Sequence, residues 1–379
     1  MKDNNEKIIR IVLTGGPCGG KSTAIEKINK YFTPRGYTVI SVPETATELI
    51  SNGIAPWNCK NPYEFQTILM TLQLKKEELA LRAAKGMNKD KILMIYDRGM
   101  LDNKGYVTSE EFSSLMKDFN TNEVYERDKY DAVIQLVSAA KGAPEAYTTD
   151  NNPARKDMLK EAEELDDKMI DAWTGHPHFR VVDNSTDFEE KINRVIKEIA
   201  LFIGEPEPYE IERKFVIKYP DINMLESISN CTKVEISQTY LRSYDDSERR
   251  VRARGINGFY MYYLTEKRNI TTEKRIEFER RIDEREYFRL LMEADTSRKT
   301  IIKTRYCLTY NNKYYEIDIY PEWNNQAIME IELSSLDEKI ETPDFINVIK
   351  EVTDDPSYKN YSMSINMPKE NNEFVRKRI

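Results

Sequence analysis

The 379-residue chain predicts two domains of different class. The first is an α/β domain whose parallel sheet carries helices on both faces; the second is α+β and built mainly of strands. Three observations lead there. Up to about residue 203, short apolar runs alternate with long helical segments, the pattern of a parallel sheet. Gly204-Glu205-Pro206-Glu207-Pro208 then reads as a linker. Beyond it, two-residue alternation replaces helical periodicity. The expected boundaries are 1–203, a linker at 204–208, a second domain at 209–365 and a loose polar tail at 366–379.

In the first domain Ile8–Thr14, Thr38–Pro43, Ile92–Asp97, Ala132–Val137 and Phe179–Val182 read as buried strands, with helices over Pro62–Ala84 and Ala154–Trp173. Thr108 with Glu111, and Thr186 with Glu189, fit capping boxes. In the second domain Glu210–Lys218, Arg249–Arg254, Tyr260–Asn269, Lys274–Ile282, Ile301–Thr309, Tyr314–Tyr320 and Ala327–Leu333 read as strands, and stretches near 284–294 and 343–352 as helices.

Composition narrows the function. The net charge is −8, and neither half is basic, which disfavours a general nucleic-acid binder. No apolar run approaches the roughly 18 residues that span a bilayer. The four cysteines are isolated and there are two histidines, His176 and His178, which argues against a Cys/His zinc site and for a reducing, cytoplasmic setting.

Gly15-Gly16-Pro17-Cys18-Gly19-Gly20-Lys21-Ser22, followed by Thr23, fits G-x-x-x-x-G-K-[ST] between a strand and a helix. Backbone N–H groups of such a loop wrap phosphates, the helix start adds positive partial charge, Lys21 reaches the outer phosphates and Ser22 holds Mg²⁺. Glu44 ends the second strand and Asp97-Arg98 the third, where a carboxylate or guanidinium faces the phosphate site. Asp97 would hold Mg²⁺ or accept a substrate proton, and Arg98 would bind phosphate. The alternatives are a helix N-cap neighbour for Glu44 and a plain salt bridge for Asp97-Arg98. Asp150–Arg155 is the segment expected to close over the phosphates, with Arg155 supplying its guanidinium; ordinary surface charge is the alternative for Arg155. The two histidines read as loop packing.

GGPCGGKST, VPET, DRGMLD and GHPHFRVVDNSTDFEEKI together resemble the NadR/Ttd-like P-loop domain of AAA type, over about residues 7–202. That resemblance implies binding of ATP or GTP with Mg²⁺, and NTPase or small-molecule kinase chemistry.

In the second half the charges sit two apart on strand after strand: Glu210, Glu212 and Lys214; Arg250, Arg252 and Arg254; Thr265 and Lys267; Arg275, Glu277 and Glu279; Lys303 and Arg305; Glu316 and Asp318; Glu330 and Glu332. Alternate positions are often apolar. A sandwich with a solvated outer face is one reading. A barrel with a polar interior is the other, its carboxylates holding Mg²⁺ or Mn²⁺ and its cations lining a polyphosphate path. The order ExExK, RxRxR, TxK, RxExE, KxR, ExD, ExE, over about residues 209–335, resembles the CYTH superfamily, the triphosphate tunnel metalloenzymes. It implies an eight-stranded antiparallel tunnel that hydrolyses triphosphates with divalent metal. By that resemblance Glu210, Glu212, Glu330 and Glu332 are metal-side carboxylates, and Lys214, Arg250, Arg252, Lys267, Lys303 and Arg305 grip phosphates. The two halves together resemble the TRP-channel translocation-defect proteins. This implies guanine-nucleotide and phosphoinositide or inositol-phosphate binding, with the tunnel used as an anionic-lipid site and peripheral contact with lipid.

Overall fold

A computed structural model describes residues 7–144, 155–205, 211–243, 248–269, 275–333 and 340–370; side chains are described for these except 7, 155–158, 211, 268–269 and 275–278. The chain divides into two compact units, Met1–Glu207 and Pro208–Ile379.

The first unit runs β1 (Lys7–Thr14), α1 (Lys21–Phe32), β2 (Thr38–Val42), α2 (Thr45–Ser51), α3 (Pro62–Lys85), β3 (Lys91–Asp97), α4 (Ser109–Asp118), α5 (Glu123–Asp128), β4 (Ala132–Leu136), α6 (Arg155–Trp173), β5 (Phe179–Val182) and α7 (Phe188–Ile203). Its five strands pair in parallel in the order β2-β3-β1-β4-β5. Continuous apolar strands demand cover on both faces. On one, Ala24, Ile28 and Phe32 of α1 and Ile192, Val195 and Ile199 of α7 bury Ile11, Leu13 and Ile134. Thr108 and Glu111 cap α4 reciprocally. The cap of α7 is one residue later than the sequence pattern suggested. Asp187, not Thr186, is the N-cap, and its carboxylate accepts the Glu190 N–H at 2.9 Å.

The second unit runs β6 (Ile211–Lys218), α8 (Ile222–Ser227), β7 (Cys231–Leu241), β8 (Glu248–Ile256), β9 (Phe259–Asn269), β10 (Arg275–Ile282), α9 (Glu284–Leu291), β11 (Ile301–Tyr310), β12 (Lys313–Ile319), β13 (Gln326–Leu333) and β14 (Val348–Glu351). These strands form one antiparallel sheet in the order β10-β9-β8-β7-β11-β12-β13-β6-β14. The sheet has nine strands rather than eight, and among the described residues no pairing joins its edges β10 and β14. Two misreadings account for the count. β7 (CTKVEISQTYL) mixes polar residues into both faces and hid from the alternation test. The stretch at 343–352, read as a helix, supplies β14, whose Val348–Glu351 pairs with β6 across a register shift.

One face of this sheet is apolar: Phe215, Ile217, Tyr306, Leu308, Tyr315, Ile317 and Met329 pack under α8 and residues near 340–346, and Val251 and Leu264 pack under α9. The charged residues alternate with these on the opposite face, and there they are buried. Ile317, fully buried between Glu316 and Asp318, reports on the apolar face alone. Ile317→Ala is expected to lower stability in urea denaturation by about 2–5 kcal/mol, the range for truncating a buried isoleucine.

Candidate phosphate-binding sites

In the first unit, β1 delivers Thr14 to the loop Gly15–Gly20, and α1 starts at Lys21. The loop lies hard against the end of β4. A Cβ on Gly15, whose φ is +131°, would stand 2.1 Å from the Leu136 carbonyl oxygen, and one on Gly19 2.7 Å from it. Only glycine permits this approach. The Gly16 N–H donates to Asp166 Oδ1 at 2.8 Å, and Ser138 Oγ donates to the Pro17 carbonyl at 2.6 Å. Cys18 is exposed at the tip with φ +56°. Ser22 is exposed and Thr23 half-buried at the start of α1.

Lys21 curls back over the loop, donating to the Gly15 and Gly16 carbonyls at 2.9 Å each. Burial, and then the nearby Arg98 guanidinium, push its ammonium down to about 8, against the opposing pull of Asp97, Asp102 and Glu44. The strand ends therefore do converge on Lys21. Arg98 does not pair with Asp97. It donates to Glu44 and, at 3.1 Å, to Asp102 Oδ1. Glu44 holds the N-cap position of α2, but its carboxylate takes Arg98 and the Thr47 hydroxyl rather than capping the helix. Asp97 keeps one buried oxygen, Oδ1, without a hydrogen-bond partner. Burial raises its carboxyl above the usual range. Arg155 is the first residue of α6, and its side chain lies outside the described residues.

Sequence reasoning passed over two carboxylates that organise this site. Asp102 is 2% exposed and accepts from the Gly99 N–H at 2.8 Å, the Thr14 hydroxyl, Arg98 and Trp173 Nε1. Its signal was present, since it closes the DRGMLD motif. Asp166 is fully buried and takes the Gly16 and Ser138 N–H groups and the Gln135 amide. It lies 150 residues from Gly16 and no local pattern announces it. His176 is buried packing, its Nε2 3.2 Å from the Tyr130 carbonyl.

In the second unit, the charged face gathers Lys303 (4% exposed), Arg305 (8%), Arg254 (2%) and Asp318 (0%). A solvated face could not look like this. Register explains the meeting: Arg305 pairs with Asp318, Glu316 with Glu330, and Glu330 with Lys214 across adjacent strands. Arg305 reaches Asp318 through two bonds of 2.6 Å, Glu330 at 3.0 Å, and Glu316. Lys303 also donates to Asp318. Lys214 bridges Glu330 at 2.7 Å and Glu212 at 3.2 Å. Arg252 holds both Glu279 oxygens at 2.9 Å, and Thr265 donates to the same carboxylate. Arg254 lies 3.9 Å from the Cys307 sulfur. Arg250 sits 3.9 Å from Glu248, and Lys267 is half-buried on β9 opposite that residue. Glu210 lies outside the described residues.

Glu212, Tyr314, Glu316, Glu330 and Glu332 line one pocket. Their hard oxygen donors suit Mg²⁺ or Mn²⁺. Among the described residues, however, no three carboxylates, histidines or cysteines are gathered tightly enough to grip an ion as they stand. The cause is visible: Glu316, Glu330 and Asp318 are turned onto Arg305, Lys303 and Lys214. Burial works to raise the Asp318 carboxyl, but Arg305 and Lys303 hold it well below the usual range. Glu330 is also lowered, Lys214 outweighing burial. Glu212 moves up, through burial and the facing Glu330, although 42% of its side chain still meets solvent.

Two outcomes follow from these geometries. A bound polyphosphate favours charged Lys21, so nucleotide binding is expected to take up a proton between pH 8 and about 10.5, the ordinary lysine value. Affinity then falls as pH rises through that window; titration calorimetry in buffers of different ionisation enthalpy reads both, and Lys21→Arg flattens the slope. Asp318→Asn strands Lys303 and Arg305 and is expected to cost about 3–5 kcal/mol. A carboxylate held low contributes stability above its unfolded value of about 3.9 and loses it as pH falls below. Acid unfolding of Asp318→Asn should therefore depend less steeply on pH than that of the parent chain.

Residues 10–191 match a family model described as an AAA domain. No curated protein sequence matches the chain. Among solved structures, the inorganic triphosphatase NE1496 is similar at 26% identity and a TM-score of 0.30, over 42% of this chain and 97% of that one. The PH1819 protein from Pyrococcus horikoshii OT3 is similar at 22% identity and a TM-score of 0.25, over 34% of this chain and 81% of that one. TM-scores this low establish no shared fold. No described helix is long and apolar enough to cross a membrane. Residues 10–191 are thus similar to a P-loop-like AAA domain.

Proposed function

We propose that the protein is a two-site phosphate enzyme. The first unit is an Mg²⁺-dependent P-loop NTPase or small-molecule phosphotransferase using ATP or GTP, and the second binds and hydrolyses a triphosphate-bearing ligand with Mg²⁺ or Mn²⁺. The observation that carries this is the buried charged face of the second sheet, because a structural face would not bury Lys303, Arg305, Arg254 and Asp318 opposite an intact apolar one. Buried charges are expensive unless they serve a ligand or one another.

In the first unit, the loop N–H groups and Lys21 hold the phosphates. Ser22 and the unpartnered Asp97 oxygen are the groups for Mg²⁺, which when bound supplies charge neutralisation at the transferring phosphoryl group. Arg98 is held ready by Glu44 and Asp102. Arg155 is assigned transition-state charge stabilisation in this unit, and Lys267 the same role in the second unit. In the second unit, Glu212, Glu316, Glu330 and Glu332, with Glu210 and Asp318, are the metal side; Lys214, Arg250, Arg252, Arg254, Lys303 and Arg305 are the phosphate side. A binding chamber without turnover, for an inositol phosphate or an anionic lipid headgroup, is the second reading, favoured by carboxylates already turned onto cations.

The full chain is expected to release phosphate from tripolyphosphate with Mg²⁺ or Mn²⁺. Arg252→Ala lowers that release and leaves ATP binding intact; Lys21→Ala lowers ATP and GTP affinity by roughly tenfold or more and leaves tripolyphosphate cleavage intact. A rise in melting temperature with inositol phosphates, without any phosphate release, selects the binding chamber. No response of either kind to any phosphate ligand would falsify both readings of the second unit.

A further inference from the structure

The sequence carries no motif for choosing between ATP and GTP, but the structure places an exposed aromatic ring beside the phosphate loop. Phe188 opens α7, keeps 52% of its surface exposed, and lies directly against Gly20. A Cβ on Gly20 would stand 2.7 Å from Phe188 Cε2. The sheet order sets which end of a nucleotide would come here. Glu44, Asp97 and Arg98 approach Lys21 from the ends of β2 and β3, on one side of central β1. Phe188 follows β5, on the other side. A nucleoside triphosphate in the loop with its terminal phosphate towards Lys21 and Asp97 therefore extends its base towards Phe188.

Among the described residues, the side chains of the surrounding loop have little left with which to read that base. Both amide hydrogens of Asn184 are committed, to the Ser138 carbonyl at 2.8 Å and the Lys141 carbonyl at 2.6 Å, and its oxygen accepts from Lys191 at 2.7 Å. Lys191 also donates to the Val137 carbonyl at 2.6 Å. Asp183 is taken by Ser185 and Arg194, and Asp187 by the Glu190 N–H. Thr186 has an exposed hydroxyl, which both donates and accepts and so cannot tell adenine from guanine.

We infer that Phe188 is the base platform of the nucleotide site, holding a purine by stacking without hydrogen-bond discrimination, so that ATP and GTP bind alike. Stacking suits this because every base offers a π-face. The inference rests on the phosphate loop taking a nucleoside triphosphate. It is tested by titrating the full chain with ATP and GTP, alongside Phe188→Ala, Phe188→Trp and Lys21→Ala. The parent chain should bind the two nucleotides within a factor of about three. Phe188→Ala should weaken both by roughly 5- to 100-fold, the effect of removing one stacked ring, and Phe188→Trp should retain both, with its fluorescence quenched by the nucleotide. Unchanged affinities in Phe188→Ala overturn the inference, as does a preference above about tenfold for one base. Absence of ATP and GTP binding by the parent chain removes the nucleotide reading and this inference with it.

Discussion

Arg305 is the interaction on which the second unit depends. Its guanidinium is buried and meets three carboxylates from two neighbouring strands, Asp318, Glu316 and Glu330. A lone buried cation would be intolerable, and a single pair would barely offset its desolvation. A network in which each oxygen and each N–H finds a partner is tolerable, and it demands one register. Slipping any of β11, β12 or β13 by one residue would send the charges to the apolar face. The ion cluster and the hydrophobic face under α8 therefore specify the same alignment from opposite sides of the sheet.

The first unit solves a related problem with fewer charges. Its loop must leave N–H groups free for an anion while remaining rigid. Asp166 fixes one edge of the loop by taking the Gly16 and Ser138 N–H groups, and the Leu136 carbonyl presses against Gly15 and Gly19. On the other side Asp102 gathers Thr14, the Gly99 N–H and Arg98. Lys21 donates to loop carbonyls that an anion can replace, while burial and the nearby Arg98 lower its proton affinity. In both units carboxylates hold the cations in fixed positions.

The sequence by itself determined the parts that depend on local pattern. The five strands of the first sheet were legible because each is a short apolar run flanked by helix. The phosphate loop was legible because its glycines and Lys21-Ser22 are contiguous. On most strands of the second sheet the alternating charges were legible as a doubly charged face. Tertiary structure alone decided where that face points, because alternation is identical for a solvated and a buried face and only the packing of other strands distinguishes them. It also decided the partners. Arg98 pairs with Glu44 and Asp102 rather than its neighbour Asp97, and Asp166 reaches a loop 150 residues away. β7 and β14 escaped the reading because their polar mixture is stabilised by pairing with β8, β11 and β6, a long-range term that no window of local sequence contains.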